Sequence, residues 1–486
     1  MTRLVDPAGL RGKVYGDGWR TTAAGTADTV EPATGATLAT VGLAGAAEVR
    51  AAAASAARAQ PGWAATPPAE RAELMRAAAR LLEEHRAEVV EWIVREGGAV
   101  VPKAEAEVDA VLDELWVAAS LHTQPHGHLL PSVPGRHSVA RRLPLGVVGV
   151  ISPWNFPLLL GMRAVAPALA LGNAVVLKPD LHTPVSGGLV VARLFEEAGL
   201  PAGVLHVLPG GAEAGAALTE SPDTAMIAFT GSTAVGRLIG ETAGRALKRV
   251  SLELGGNNAL IVLDDADPGT AASAGAFGAF FHQGQVCMTA GRHIVLERVA
   301  DAYVEHLTRR AERLSTGDPW TAKPDLGPLV DAAQRERVER IVRESVAAGA
   351  RVRTGGTGEG PFYRPTVLTG VTPRMPAFTE EIFGPVAPVV VVPDVETAVA
   401  VANDCAYGLT AGVLTGSPER GLAVAERLGT GIVHVNDQTI GDDAVVPFGG
   451  RGASGNGSRH GVLHSWDEFT QWQWMTVQGA VPAYPF

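Results

Sequence analysis

The chain has 486 residues, 46% hydrophobic and 19% charged, the composition of a globular protein with large cores rather than a disordered one. A formal net charge of −11 argues against a nucleic-acid partner, and two cysteines exclude a disulfide scaffold. At ~150 residues per domain, the length accommodates about three domains.

No apolar run of the secretory type stands near the start, so the expected compartment is the cytoplasm. Residues 46–120 read as helices. Leu74, Met75, Ala78, Leu81, Leu82, Val89, Trp92 and Ile93 fall on one helical face, and Gly97-Gly98 marks a stop. Leu143 to Met162 carries no charge for 20 residues, about the length of a membrane span. Pro144, Pro153, Pro157 and Asn155 interrupt it, so it is expected to form a buried strand followed by a loop, with no membrane partner.

From about residue 139, apolar runs alternate with helical patterns. VVGVIS, AVVLKP, VLHVLP, MIAFTG and RVSLELGG are strand-like, with helices at 161–171, 184–198, 213–219 and 233–243. A second series follows: ALIVL, HIVLE, PTVLTG, VAPVVVV, AGVLTG and GIVHVN, with helices at 267–281, 299–314, 331–348, 394–403 and 418–428. Continuous rather than alternating runs point to parallel strands covered on both faces. The expected fold is therefore two doubly wound α/β units meeting near Gly255-Gly256. Segments 137–144 and 469–478 alternate weakly and read as exposed edge strands, open to pairing with another subunit.

Several residues could carry chemistry. Cys287 lies in HQGQVCMTAGR, loop composition that suits a reactive thiol, though a lone cysteine is more often a small buried hydrophobe. Cys405 closes a helical pattern and reads as a packed thiol. Glu253 ends an apolar strand before two glycines; it is either solvated at the strand edge or brought close to a reacting centre. Asn155, in SPWNFP, offers an amide to an oxyanion or satisfies a turn. FTGSTAVG (Phe229 to Gly236) follows a strand and opens a helix, the setting for a phosphate or simply an N-cap by Ser232 or Thr233. Lys178 stands at a strand's carboxyl end, where open α/β sheets bind ligands. Glu381 and Phe383 precede a Gly-Pro turn. No zinc spacing, Walker motif, GxSxG elbow or HExxH occurs, and no Arg or Lys cluster stands beside these motifs to clamp an anionic substrate.

Taken together, SPWNFP, AVVLKP, FTGSTAVG, LELGGNN, GQVCMTAGR, EEIFGP and PFGG resemble the aldehyde dehydrogenase superfamily, in family order over residues 140–455. Glu253 precedes Cys287 by 34 residues, as in that family. GRHSVARRLPLGVVGVISPWNFPLLL, KPDLHTPVSGG, FEEAGLPAGVLHVLPGG and FHQGQVCMTAGRH look like its benzaldehyde dehydrogenase branch. The resemblance implies oxidation of an aldehyde, aromatic in this branch, to the acid through a cysteine thiohemiacetal and thioester. Cys287 matches the nucleophile, Glu253 the general base and Asn155 the oxyanion-stabilising amide. Lys178 matches the lysine at the adenosine ribose, and Gly231 and Ser232 the pyrophosphate turn. Glu381 matches the carboxylate at the nicotinamide ribose, with Phe383 beside it, and Trp154 lies near the adenine ribose and substrate mouth.

Trp154, Phe156 and Phe448 are candidates for an aromatic substrate tunnel, with Phe156 and Phe448 as its pocket walls. The implied cofactor is NAD, with NADP open: Leu181 stands where many NAD-preferring members carry Glu, although Asp180 supplies a carboxylate nearby. The implied organisation is a dinucleotide-binding domain (1–123 and 146–255), a catalytic domain (256–450) and bridging segments (124–145 and 465–486) that form a small β oligomerisation unit of a homodimer or homotetramer. Three alternatives remain: a dehydrogenase for aliphatic aldehydes, a CoA-acylating relative, disfavoured by Glu253, and a silent binding protein on the same fold.

Overall fold

A computed structural model describes residues 3–486. Its centre is a pair of seven-stranded sheets. In the first, the strands run Arg249–Glu253, Met226–Thr230, Val147–Ile151, Ala174–Lys178, Leu205–Val207, Lys13–Tyr15, Trp19–Thr21. The five from Arg249–Glu253 to Leu205–Val207 are parallel, and every residue of Val147–Ile151 and Ala174–Lys178 is buried, which is why these runs lack polar alternation. Chain order reverses between Val147–Ile151 and Met226–Thr230. That switch point leaves a crevice beyond their carboxyl ends, flanked by SPWNFP on one side and FTGS on the other.

The second sheet runs Arg351–Thr354, Thr366–Thr369, Val386–Val392, Arg292–Leu296, Ala259–Val262, Thr410–Leu414, Ile432–Val435. All neighbours are parallel except the edge strand Arg351–Thr354, which is antiparallel and bulged. Helices Ala46–Ala65, Pro68–Glu84, Arg86–Gly97 and Val101–Ser120 fill the predicted helical stretch, and Gly98 in the left-handed region (φ 67°) ends the third of them.

Three expectations need correction. The uncharged stretch Leu143 to Met162 is strand, then a short loop, then helix: Pro157 opens helix Pro157–Ala170, because a first-turn proline lacks only an N–H that the helix would leave unbonded anyway. The early chain, for which the sequence reading assigned no elements, also contributes strands Lys13–Tyr15, Trp19–Thr21, Thr26–Val30 and Thr37–Gly42. Finally, the two predicted edge segments pair with each other: Thr470–Gln478 runs antiparallel to Arg136–Pro144 over nine residue pairs, with Gly127–Leu129 on the far side. Eight of the nine residues of Thr470–Gln478 are exposed. Among the described residues no helix is long and apolar enough to cross a membrane.

Candidate active site

Three cavities open around the switch point. The largest, about 520 Å³, lies over the carboxyl ends of the first sheet, lined by Lys178, Asp180, Trp154, Gly231 and Ser232 and by the exposed apolar side chains Val235 and Leu238. A second, about 200 Å³, continues from it past Trp154, Gly231 and Ser232 to Asn155, Glu381, Phe383 and Cys287. A third, about 230 Å³, reaches Cys287 from the opposite side, between Phe156, Phe281, Val286 and Phe448. Among the described residues, only Leu160 and Cys287 line both of the smaller cavities.

Cys287 is set by an unusual backbone. His282, Gln283 and Gly284 are all left-handed (φ 49°, 56° and 67°), a conformation that costs of order 1–3 kcal/mol for each non-glycine residue and persists only when neighbours fix it. Gln283 Nε2 donates to the carbonyls of Gly98 and Pro328 (2.9 and 3.0 Å), and Asn258 Nδ2 donates to those of Cys287 and Thr289 (both 2.8 Å). Cys287 is partly accessible. Burial pushes its thiol up to about 12, the carboxylates of Glu381 and Glu253 add to the shift, and Arg163 opposes it.

The two glycines after Glu253 have a steric cause. A Cβ at Gly255 would lie 2.3 Å from a Glu381 carboxylate oxygen, and one at Gly256 would lie 2.3 Å from the Cys287 carbonyl. Side chains there would separate strand Arg249–Glu253 from the two loops that must meet it. Glu253 itself is 5% exposed, and neither carboxylate oxygen has a hydrogen-bond partner among the described residues. Desolvation therefore holds its pKa well above the usual carboxylate range, against the pull of Arg163 and Arg459. It lines none of the three cavities.

Asn155 Nδ2 donates to Gln285 O at 2.9 Å, tying the amide to the Cys287 loop and leaving its second N–H free of that bond. Sequence reasoning missed what holds Asn155 from behind. Lys103 Nζ donates to Asn155 O (2.8 Å) and to Glu107, and stands 3.9 Å from the centre of the Phe156 ring. Glu107 accepts from the N–H groups of Leu158 and Leu159 (2.9 and 3.2 Å), capping helix Pro157–Ala170 from a neighbouring helix. Both side chains are fully buried. The detectable signal was an i,i+4 Lys/Glu pair in register with buried Ala104, Val108 and Val111.

The fit to a dinucleotide rests on donors and clearances. Lys178 is 9% exposed, and its ammonium makes one long bond, to Pro179 O at 3.3 Å, leaving donors toward the largest cavity. Ser232 caps helix Thr233–Arg245, whose first N–H groups face that cavity's floor. Glu381 accepts from Gly256 N–H at 2.8 Å, and burial lifts its carboxyl to about 7. Trp154 stacks edge-on against Phe383 at 5.5 Å and lines the largest and second cavities, while the third, walled by Phe156 and Phe448, does not include it. Phe156 and Phe448 line the third cavity, and Phe281 is an aromatic wall that sequence reasoning missed.

One cation lines that third cavity. Arg163 donates through Nε to Glu114 (3.0 Å) and through Nη2 to Asp442, and its guanidinium carbon lies 4.6 Å from the centre of the Phe448 ring. Cys405 lies away from all three cavities and donates weakly to Asn257 O at 3.9 Å.

Comparison with known proteins agrees with this architecture. The model of the aldehyde dehydrogenase family matches residues 19–475. A vanillin dehydrogenase of Amycolatopsis sp. is 52% identical over 484 residues, covering 99% of this chain and 100% of the relative. A benzaldehyde dehydrogenase [NAD(+)] of Pseudomonas putida is 51% identical over 476 residues, 98% of each. A crystal structure described as an E. coli NADP dependent enzyme superposes with a TM-score of 0.94 at 34% identity, covering 98% of this chain and 100% of that one. The chain belongs to the aldehyde dehydrogenase family.

Proposed function

We propose that this protein oxidises an aromatic aldehyde to the carboxylic acid, with Cys287 as nucleophile. The observation that carries the reading is a single sulfur where the cleft beyond the first sheet's carboxyl ends and a small aromatic-walled cavity meet. Identity of about half the chain to relatives named for vanillin and benzaldehyde supports the aromatic class. A cavity of about 230 Å³ is below the ~300–1,000 Å³ of drug-sized sites and suits one ring.

In this reading the aldehyde enters beside Phe156 and Phe448. Cys287 Sγ, partly accessible, loses its proton to solvent and bonds to the carbonyl carbon, and the free Asn155 N–H meets the oxygen as charge develops on it. Lys178, the turn Gly231-Ser232, Glu381, Phe383 and Trp154 bind and orient a nicotinamide dinucleotide. When bound, that group supplies the acceptor for the two electrons of the oxidation. The acyl group then remains on Sγ as a thioester. Glu253, raised by burial and free of hydrogen bonds, takes a proton from the attacking water, and the acid leaves. The same raised thiol and carboxyl give the activity an acid limb displaced toward alkaline pH.

NAD is the preferred form. Asp180 lines the same cavity as Lys178, and its carboxylate, held ionised by His182, disfavours there the additional ribose phosphate by which NADP differs from NAD. The relative named for NAD(+) is also closer in sequence than the structure described as NADP dependent. The first sheet with the early helices (1–123 and 146–255) serves as the dinucleotide-binding domain, and 256–450 as the catalytic domain. Segments 124–145 and 465–486 join subunits of a homodimer or homotetramer through the exposed Trp472, Trp474 and Val477 edge. Two unpaired cysteines suit the cytoplasm.

The test is a panel of aromatic and aliphatic aldehydes with each dinucleotide, read as kcat/KM. Benzaldehydes with NAD should lead. Faster turnover of short aliphatic aldehydes refutes the substrate class, and CoA-dependent product formation refutes hydrolysis as the final step.

A further inference from the structure

The far wall of the third cavity has a chemistry that the reaction does not require. Phe156, Leu159, Leu160 and Arg163 follow one another at helical i, i+3, i+4, i+7 spacing, so helix Pro157–Ala170 presents one stripe to this cavity: apolar near Asn155 and cationic at the far end. At ~1.5 Å rise per residue, Arg163 sits about 10 Å along the axis from Phe156, and its side chain leans back toward the helix N-terminus. Leu159 and Leu160 line the cavity between the two ends.

Arg163 is 5% exposed. Its Nε is used by Glu114 and its Nη2 by Asp442, while Nη1 donates to no protein atom among the described residues. A buried guanidinium thus keeps an unused donor in a wall of the substrate cavity, beside the acceptor oxygens of Asp442. The surrounding charge is not cationic. Asp442 pairs with Arg163, burial lifts the Glu114 carboxyl to about 7 so that it adds negative charge above that pH, and Asp113 and Asp443 stand exposed on the rim.

We propose that Arg163 and Asp442 read the ring substituent of the substrate, selecting aromatic aldehydes that carry a neutral hydroxyl on the ring and refusing those that carry a carboxylate there. The hydroxyl oxygen accepts from Arg163 Nη1 and its proton is donated to Asp442. A carboxylate finds a guanidinium already neutralised and meets Asp442 and the rim acids at close range. The inference rests on the aromatic-aldehyde reading above.

The experiment compares kcat/KM of the wild-type enzyme for benzaldehyde and for its 4-hydroxy, 4-methyl and 4-carboxy derivatives, at a pH where the ring hydroxyl is protonated. Hydrogen bonds to charged groups predict a hydroxyl-to-methyl ratio of about tenfold or more, with the carboxylate at least about tenfold below methyl. Asp442→Asn, which keeps the shape and removes the charge, should bring the hydroxyl-to-methyl ratio to within about threefold of unity and raise the carboxylate relative to methyl by about tenfold. A flat wild-type response across the substituents, a carboxylate as good as methyl, or ratios unmoved in Asp442→Asn overturns this inference alone. Failure to oxidise benzaldehyde and all its derivatives, with aliphatic aldehydes turned over, overturns the aromatic reading and the inference together. The wild-type panel decides even if the variant does not fold.

Discussion

Replacing Glu253 by Gln separates chemistry from folding unusually well in this structure. The carboxyl group is 5% exposed and neither oxygen is hydrogen-bonded, so an isosteric amide forfeits no contact that the structure shows. Loss of a general base costs ~10²–10⁴ in rate. Because the base acts on the thioester, that loss should fall on steady-state turnover, while rapid mixing with NAD still shows a burst of about one reduced equivalent per chain. Stability should move the other way. Burial keeps the Glu253 proton on the folded chain to a higher pH than on the unfolded chain, where the group titrates near its ordinary value of 4.5. Stability is therefore lost as pH rises above 4.5, until the folded group ionises, and Gln carries no such loss. The difference in Tm, variant minus wild type, should widen in favour of the variant over that window. A burst that disappears in proportion to the steady-state rate refutes the assignment of Glu253 to thioester hydrolysis, and a Tm difference that narrows with rising pH refutes the electrostatic account of its burial.

Three further substitutions probe the remaining groups. Cys287→Ala should show no aldehyde oxidation above background in a spectrophotometric assay, and measurable turnover would sink the covalent mechanism. Asn155→Ala should lower kcat by ~10²–10³ through loss of one oxyanion donor, and a change confined to KM would count against that role. Lys103→Met leaves Glu107 charged and buried beneath helix Pro157–Ala170, a change worth about 3–5 kcal/mol of stability by denaturant unfolding; the double variant Lys103→Met with Glu107→Leu should recover part of that loss, and a single variant as stable as wild type would show that the pair holds nothing in place.

The motifs that touch the cleft were readable because each is a short continuous run in which side chain and backbone requirement sit together. Gly255 and Gly256 are an example: the structure supplies the two clashes, with Glu381 and Cys287, that forbid a side chain there. Groups acting through tertiary placement were harder to see. Lys103 and Glu107 lie some fifty residues before the loop they hold, and only their position on an otherwise apolar stripe marked them. Arg163 stands alone in an apolar stretch of the sequence, with no second cation beside it to mark an anion clamp. Its significance comes from two carboxylates distant in sequence, Glu114 and Asp442. Segments 137–144 and 469–478 both read as edges, yet only Thr470–Gln478 is one: Arg136–Pro144 is the middle strand, and that pairing depends on register across more than three hundred residues, which alternation alone does not encode.

The meeting of two cavities at one sulfur has a bearing on traffic through the enzyme. Among the described residues the two smaller cavities share only Leu160 and Cys287, so under the proposed function the acid can depart by the route its parent used while the other chamber stays filled. Release of the two products is then uncoupled in space. A small molecule lodged against Phe281 and Phe448 would stall the enzyme without displacing its dinucleotide, and one shaped for the opposite chamber would leave the aldehyde path open.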